Sequence, residues 1–139
     1  MIKERNTKKM ELFNRPDDIM FWTKTRLQTF KYWPFDDKVQ CNAKRMAAAG
    51  FYATGGREEP DLACCFVCKK SLNGWEETDD PWEEHKKHCP TCPFVKFDKK
   101  EKDLTIENVI DLLQHLELQR MTSIMKKKVD ELHKLANAL

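Results

Sequence analysis

One short stretch of this chain constrains its fold more than any other, because it places several metal-binding side chains close together in sequence. Cys65 and Cys68 form a Cys-x-x-Cys pair, and His85, Cys89 and Cys92 follow it. Such a pair, with a second pair of ligands further along, has the spacing of a tetrahedral zinc site. Structural zinc contributes about 10–16 kcal/mol of apparent binding energy, which exceeds the net stability of most domains. The sequence therefore predicts a small domain whose folding depends on a metal.

The six cysteines are better explained by metal binding than by disulfides. The chain starts with charged residues and has no apolar segment of the kind found in a signal peptide. We therefore expect a reducing compartment, either nucleus or cytoplasm, where disulfides are rare.

Composition limits what else the chain can be. Its 139 residues are 35% charged and its mean hydropathy is -0.74, which leaves room for one compact domain plus an extension. A net charge of +2 is far from that of a dedicated nucleic-acid binder. No apolar run approaches the ~20 residues that span a bilayer. We expect neither nucleic acid nor membrane as a direct partner.

The pattern along the chain predicts three segments and an α+β fold. Residues 1–17 are interpreted as a polar tail, residues 18–98 as a compact zinc domain, and residues 99–139 as a charged hinge and long helix. In the domain, Asn42 and Asp80 are suitable N-caps, and Pro81 suits a first helical position. The expected elements are helices at 25–32, at 43–49 and from Pro81 to about His88, and three short antiparallel strands at 51–53, 63–66 and 71–72. Pro90 and Pro93 are expected to end the third helix.

The last part of the chain has the pattern of a long amphipathic helix. From Leu104 to Leu139 there is no glycine or proline, and apolar residues recur at steps of three and four. Such a helix would be about 50 Å long, whereas a domain of ~80 residues has a radius of gyration near 12 Å. Most of its apolar face therefore needs a partner. That face comprises Ile106, Val109, Ile110, Leu113, Leu116, Leu118, Met121, Met125, Val129, Leu132, Ala136 and Leu139.

Spacing alone leaves the metal ligands ambiguous. Cys65 and Cys68 can pair with Cys89 and Cys92 as a four-cysteine site, or with His85 and Cys92. His85, His88 and Cys89 fall within one helical turn, so the geometry of a helix permits either set.

The flanking residues resemble the baculoviral IAP repeat (BIR) family over about residues 19–97. The resemblance rests on motifs that occur in the family's order. They are Arg26-Leu27-Gln28-Thr29-Phe30, Trp33-Pro34, Met46 to Tyr52, Glu59-Pro60-Asp61, Cys65 to Cys68, Leu72-Asn73-Gly74-Trp75, Asp79-Asp80-Pro81, Glu84-His85, His88 and Cys92-Pro93-Phe94.

The resemblance implies that Cys65, Cys68, His85 and Cys92 bind one structural zinc ion. Four protein ligands leave no open coordination position, so the site is expected to be structural rather than catalytic. A zinc deaminase needs a His-x-Glu motif before its cysteine pair, and no histidine precedes Cys65. The resemblance therefore predicts a protein that is not an enzyme.

A tryptophan among acidic residues suits the free α-amino group of a peptide. Carboxylates can bind the ammonium while the ring covers a small side chain. The family resemblance implies that such a groove reads the Ala-Arg-Thr tail of a core histone, phosphorylated on the threonine. An acid often precedes the Gly-Trp pair in the family, but here the residue is Asn73. The expected groove residues are Lys70, Leu72, Asn73, Trp75, Glu76, Asp79 and His88.

A single repeat followed directly by a long helix resembles the single-repeat branch of the family. That resemblance implies a subunit of the chromosomal passenger complex, with borealin-like and INCENP-like companions and an Aurora-type kinase. It also implies location at the centromere and spindle midzone in mitosis. The apolar face equally suits a homodimer when companions are absent. The alternative function is an apoptosis regulator that acts on caspases or their activators.

Overall fold

The computed structural model describes residues 18–139, and the predicted polar tail at residues 1–17 lies outside the described residues. The chain divides into two compact units, Met1–Glu101 and Lys102–Leu139. The predicted fold class is confirmed: the first unit contains short helices and a three-stranded antiparallel sheet, and the second contains one long helix.

Two short helices come first in the described part of the first unit. A 3-10 turn at Asp18–Phe21 leads into α1 at Thr23–Gln28, and α2 spans Ala43–Ala48. The prediction placed the first helix at 25–32, which was wrong at both ends. It stops early because the Thr29 hydroxyl donates to the Arg26 carbonyl (2.6 Å) and accepts a hydrogen bond from Ala53 N (2.8 Å). The predicted cap of α2 is confirmed, since the Asn42 side chain accepts from Arg45 N.

The sheet has the strand order β1-β2-β3, with β1 at Phe51–Ala53, β2 at Ala63–Cys65 and β3 at Ser71–Leu72. Phe51 pairs with Cys65 across the first ladder, and Ala63 pairs with Leu72 across the second. The second strand ends one residue earlier than predicted because Phe66 already belongs to the turn of the Cys-x-x-Cys pair. The sheet thus delivers the first metal-binding cysteine at the end of its central strand.

The segment after the sheet contains one predicted helix and one that the sequence did not predict. As expected, α3 spans Pro81–His88, and the Asp80 side chain accepts hydrogen bonds from the amides of Trp82 and Glu83. Pro93 was interpreted only as a helix breaker. Instead it begins α4 at Pro93–Phe97, where its fixed φ suits the first helical position.

Two of the charged residues that follow α4 make contacts within the first unit. Asp98 ends α4 in the left-handed conformation (φ 51°), and its carboxylate accepts a hydrogen bond from the Trp82 indole (2.7 Å). The Glu101 carboxylate accepts from Thr23 N (3.0 Å).

A buried arginine joins the elements of the first unit. Arg26 is 1% exposed, and its guanidinium donates to the carbonyl oxygens of Ala47 (3.0 Å), Met20 (2.8 Å) and Phe21 (2.8 Å). The guanidinium also lies 4.3 Å from the centroid of the Phe66 ring. Burial lowers its pKa to about 10, against the opposing effect of the Glu101 carboxylate, so the group remains charged at neutral pH.

The second unit contains α5, which spans Ile106–Asn137, close to the predicted Leu104–Leu139. Its start is fixed by a capping box, because the Thr105 hydroxyl accepts from Asn108 N while the Asn108 side chain accepts from Thr105 N. Within the described residues, no helix combines the length and the apolar character that crossing a membrane requires.

Candidate metal centre and peptide cleft

The structure brings four of the predicted ligands together. The ligand atoms of Cys65, Cys68, His85 and Cys92 all lie within 4.8 Å of one another. The Sγ atoms of Cys65 and Cys92 are 4.0 Å apart, and Cys68 Sγ is 3.6 Å from His85 Nε2. Cys89, which spacing alone left as an alternative ligand, is not part of this cluster.

The turn that carries Cys65 and Cys68 is shaped by its backbone. Val67 N donates to the Cys65 sulfur (3.3 Å), and Lys69 N donates to the Cys65 carbonyl (3.0 Å). Lys69 adopts the left-handed conformation (φ 62°), which lets the chain reverse into β3. Both sulfurs can therefore point toward one ion from a single tight turn.

His85 is oriented by a hydrogen bond on its other ring nitrogen. Its Nδ1 lies 2.7 Å from the Ala49 carbonyl oxygen, which can only accept, so Nδ1 carries the proton. In the neutral ring, which is the form that binds a metal, the lone pair of Nε2 then faces the thiols. Metal-ligating histidines in proteins are usually oriented in this way by a second partner.

The cluster fits a tetrahedral thiolate-imidazole metal site. Bond lengths of about 2.3 Å to sulfur and 2.0–2.1 Å to nitrogen imply ligand-to-ligand distances of about 3.5–3.8 Å in a tetrahedron. The observed 3.6 and 4.0 Å are close to these values. Three thiolates and one neutral imidazole are a preferred ligand set of zinc.

The protonation of the cluster shows how closely its groups interact. A hydrogen bond with Cys65 raises the pKa of the Cys68 thiol, and another with the same residue lowers that of Cys92. Burial lowers the pKa of His85, but interactions with the Cys65 and Cys92 sulfurs outweigh it and raise the value to about 10. The metal-free cluster thus retains protons at neutral pH, and a bound cation would displace them.

A second feature, here called the acidic cleft, lies beside β3 and α3. It encloses about 320 Å³, and its lining consists of Ser71, Leu72, Asn73, Gly74, Trp75, Asp79, Glu84 and His88. Five of the seven predicted groove residues are in this lining. Lys70 and Glu76 are the exceptions, and each is adjacent in sequence to a lining residue.

The wall formed by Trp75 is rigid. Its side chain is only 8% exposed, and its indole N–H donates to the Leu72 carbonyl (3.3 Å). The ring also packs edge-on against Phe51, with centroids 5.3 Å apart. Most of the indole therefore belongs to the core, and a small part of it forms the wall of the acidic cleft.

Two carboxylates give the cleft its charge. Asp79 accepts a hydrogen bond from Glu76 N (2.8 Å) through one oxygen, which fixes the loop and leaves further acceptor capacity. Glu84 lies 3.2 Å from His88 Nε2, one helical turn away. The sequence prediction named Glu84 only within a family motif and did not assign it to the groove. Glu84 lies four residues before His88 on a helix, and this spacing indicates in the sequence that the two side chains are neighbours.

The predicted apolar face of α5 is largely exposed. Among the large side chains, Ile106, Ile110, Leu118, Met121, Met125, Val129, Leu132 and Leu139 are 44% or more exposed, and Val109, Leu113 and Leu116 are half-buried. Ala136 is exposed as well. Ile124 and Leu135, which the prediction omitted, are 48% and 65% exposed and extend the same surface.

Comparison with known proteins assigns the chain to a family. The model described as "BIR: Inhibitor of Apoptosis domain" matches residues 26–96. The chain is 40% identical over 114 residues to Baculoviral IAP repeat-containing protein 5.2-B of Xenopus laevis, a match that covers 81% of this chain and 72% of that protein. It is 45% identical over 93 residues to Baculoviral IAP repeat-containing protein 5 of Rattus norvegicus, covering 67% of this chain and 66% of that protein. The mouse protein of that name is 47% identical over 87 residues, 63% of this chain and 62% of the relative.

The chain therefore belongs to the BIR family of inhibitor-of-apoptosis proteins. Its relatives over most of the chain carry the name Baculoviral IAP repeat-containing protein 5, the survivin branch, so the resemblance to single-repeat members is confirmed. The matches span about two thirds of the length of most of these relatives. The metal cluster is consistent with the zinc site of a BIR domain.

Proposed function

We propose that this protein is a non-enzymatic subunit of the chromosomal passenger complex. In this role the acidic cleft reads a histone N-terminal tail, and α5 binds borealin-like and INCENP-like companions that bring an Aurora-type kinase to chromatin. The protein would thereby act in chromosome segregation and cytokinesis, at the centromere and then the spindle midzone. The observation that carries the proposal is the acidic cleft, where Trp75 and Leu72 lie beside Asp79, Glu84 and His88.

The metal is proposed to be one structural zinc ion. Cys65, Cys68, His85 and Cys92 would hold it, and zinc with four protein ligands has no position left for substrate or water. Its contribution is to stabilise the domain that carries the acidic cleft. The cysteine turn leads directly into β3, and His85 lies on the same helix as Glu84 and His88, so the metal fixes two walls of the cleft.

The cleft is suited to a free amino terminus followed by a small residue. Asp79 would bind the α-ammonium, and the Trp75 edge with Leu72 would contact the alanine methyl group. Charge-assisted hydrogen bonds are about twice as strong as neutral ones, so the amine would supply much of the affinity. Asn73 removes one negative charge that family members often have. Glu84 supplies a second carboxylate in the lining of this chain.

Lys70 and His88 would favour phosphate further along the peptide. In the free protein, His88 is held by Glu84 at 3.2 Å, and a phosphate would compete for that interaction. Lys70 immediately precedes β3 and is exposed, so its ammonium can reach a bound peptide without being buried. A phosphorylated threonine at the third position would contact the Lys70 ammonium and the His88 ring.

The direct test is calorimetry with peptides that begin Ala-Arg-Thr. A free peptide should bind, and the same peptide with an acetylated amino terminus should bind at least about tenfold more weakly, because acetylation removes the ammonium. Asp79→Asn is the sharpest variant, since its amide oxygen can still accept from Glu76 N while the charge is lost. Equal affinity for free and acetylated peptides would refute amine capture in the acidic cleft.

A second candidate is favoured by the description of the matching family model, "Inhibitor of Apoptosis domain". In that role the same cleft would bind the alanine-starting peptides of pro-apoptotic proteins, and the protein would regulate caspases or their activators. A caspase inhibition assay beside the histone-peptide titration separates the two. Copurification from mitotic cells adds an independent criterion, because recovery of the passenger subunits supports the first function and recovery of apoptotic factors supports the second.

A further inference from the structure

A second cleft lies in the first unit and has no part in the proposed function. It lies between α2, the start of α3 and the end of α4, and we name it the basic cleft. Its volume is about 540 Å³, larger than that of the acidic cleft, and its surface is mostly apolar. Alanines at 48 and 49 form a floor of small side chains, and Pro81 and Trp82 form one wall.

The wall of the basic cleft is held in place before any ligand binds. The Trp82 indole packs edge-on against Phe94, with centroids 5.4 Å apart, and its N–H donates to Asp98 Oδ1. Lys86 Nζ lies 3.1 Å from the same oxygen. The floor is fixed as well, because the Ala49 carbonyl accepts the hydrogen bond from His85. A preorganised apolar surface loses less conformational entropy on binding than a mobile one.

The charges around the basic cleft define its preferred ligand. Four cationic residues line it, Lys44, Arg45, Lys99 and Lys100, against only two acidic ones, Asp80 and Asp98. Both acids already have partners within the protein. Asp80 caps α3 and pairs with Arg45 (3.0 Å), and Asp98 binds Trp82 and Lys86. Lys44 also pairs with Asp37 (3.3 Å), which lies outside the lining, so the excess positive charge is that of Lys99 and Lys100. The lining therefore presents a net positive rim over an apolar floor.

We propose that the basic cleft, whose lining includes Ala48, Trp82 and Lys100, docks a partner segment in which acidic residues flank a large aliphatic side chain. The aliphatic group would lie on the alanine floor against the indole, and the flanking carboxylates would face the lysines. Its charge preference is opposite to that of the acidic cleft. The two clefts would therefore select different peptides.

The test is a titration of the zinc-loaded full chain, followed by amide and indole NMR signals. The probe is the peptide acetyl-Gly-Asp-Glu-Leu-Glu-Asp-Gly-amide, whose blocked amino terminus prevents amine capture by the acidic cleft. We expect saturable shifts of the Trp82 indole N–H and of the Ala48 and Lys100 amides. Two matched peptides serve as controls, one with serine in place of leucine and one with lysines in place of all four acids. Each should bind at least about tenfold more weakly.

Two variants locate the site on the protein. Ala48→Glu places a carboxylate on the floor, and Lys100→Glu reverses one exposed charge on the rim without touching the core. Both should weaken binding by about tenfold or more. Lys31→Glu, an equal charge change at an exposed residue outside the lining, should leave the affinity unchanged.

Several results would overturn the proposal. These are the absence of saturable shifts up to millimolar peptide, equal affinity for all three peptides, or equal affinity of Lys100→Glu and Lys31→Glu. A dependence of the Trp82 signal on protein concentration would instead assign the basic cleft to a second copy of the chain. A change of that signal on deletion of residues 1–17 would assign it to the chain's own amino terminus.

Discussion

The two units of this protein are stabilised in contrasting ways. In the first, Phe51, Phe66, Phe94 and Met46 are buried by neighbouring elements, and the cluster of potential metal ligands joins the sheet to α3 and α4. In the second, one helix carries most of the exposed apolar surface. Of the thirteen large apolar side chains that are exposed among residues 18–139, ten lie between Ile106 and Leu139. The first unit can therefore satisfy its own apolar groups, whereas α5 has a surface that a partner helix would bury.

Metal removal should have the largest effect, because it should unfold the first unit but not α5. All four tryptophans lie in the first unit, so their emission reports on that unit alone. A strong chelator should shift the emission to that of an unfolded chain, because structural zinc contributes about 10–16 kcal/mol. Hydrogen exchange should accelerate in α3, while α5, which holds none of the four ligands, should not require the metal.

Cys68→Ser should reproduce the effect of the chelator, and Cys89→Ser should behave as wild type because Cys89 lies outside the cluster. Metal affinity should also fall as pH is lowered, since protons compete for the sulfurs and for His85 Nε2. Native tryptophan emission from protein shown to be metal-free would contradict a metal-dependent fold.

The buried arginine provides the next largest effect within the first unit. Arg26→Met keeps an apolar stem but leaves the carbonyls of Met20, Phe21 and Ala47 without their donor. We expect the free energy of unfolding to fall by about 3–5 kcal/mol, measured by urea titration with tryptophan emission. The matched control is Arg57→Met, because Arg57 is exposed and contacts the Tyr32 ring at 5.2 Å. That change should cost at most about 1 kcal/mol. Equal losses would mean that the carbonyl network is not the source of the effect.

The exposed helix face should respond in the opposite way, with a loss of binding and no loss of stability. Met125→Glu with Leu132→Glu places two charges in the apolar face, where the side chains are 59% and 64% exposed. Unfolding of the first unit should change by less than about 0.5 kcal/mol. Association with the proposed borealin-like and INCENP-like companions should weaken by about a hundredfold or more.

The control for this double variant is Lys127→Gln with Lys134→Gln, which changes the net charge by the same amount on the opposite side of α5. It should bind companions normally. If companions are absent, sedimentation of the same variants tests the homodimer that the face also suits. Retained association of the glutamate variant would refute a partner role for this face.

The sequence predicted those features that depend on local chemistry. Asn42 and Asp80 act as N-caps as expected, and the three strands lie within one residue of their predicted positions. The long helix was also predictable, since it needs only a repeating apolar pattern and the absence of glycine and proline. Such features are set by neighbours in sequence.

Features that depend on contacts between residues far apart in the sequence could not be predicted from local patterns. The spacing of Cys89 and His85 allowed either to be a ligand, and only the family resemblance favoured His85. In the structure, a hydrogen bond to the Ala49 carbonyl orients the His85 ring toward the cysteines, and these two residues are 36 positions apart. Helix α4 was missed because Pro93 can end one helix or begin another, and the burial of Phe94 and Val95 favours the second. The spacing of Glu84 and His88 placed both on one face of α3, but only the packing of α3 beside β3 shows that this face lines the groove.

The smallest predicted effect comes from removing the N-cap side chain of one helix in each unit. Asn42→Ala and Thr105→Ala each remove one N-cap, at a cost of about 1 kcal/mol. In α2 the cap belongs to a cooperative domain, so its loss should lower the unfolding free energy of the whole first unit. In α5 the loss should stay local and raise hydrogen exchange in the first turn after Thr105 about fivefold, with tryptophan emission unchanged. A lower urea midpoint of tryptophan emission for Thr105→Ala would show instead that the two units unfold together.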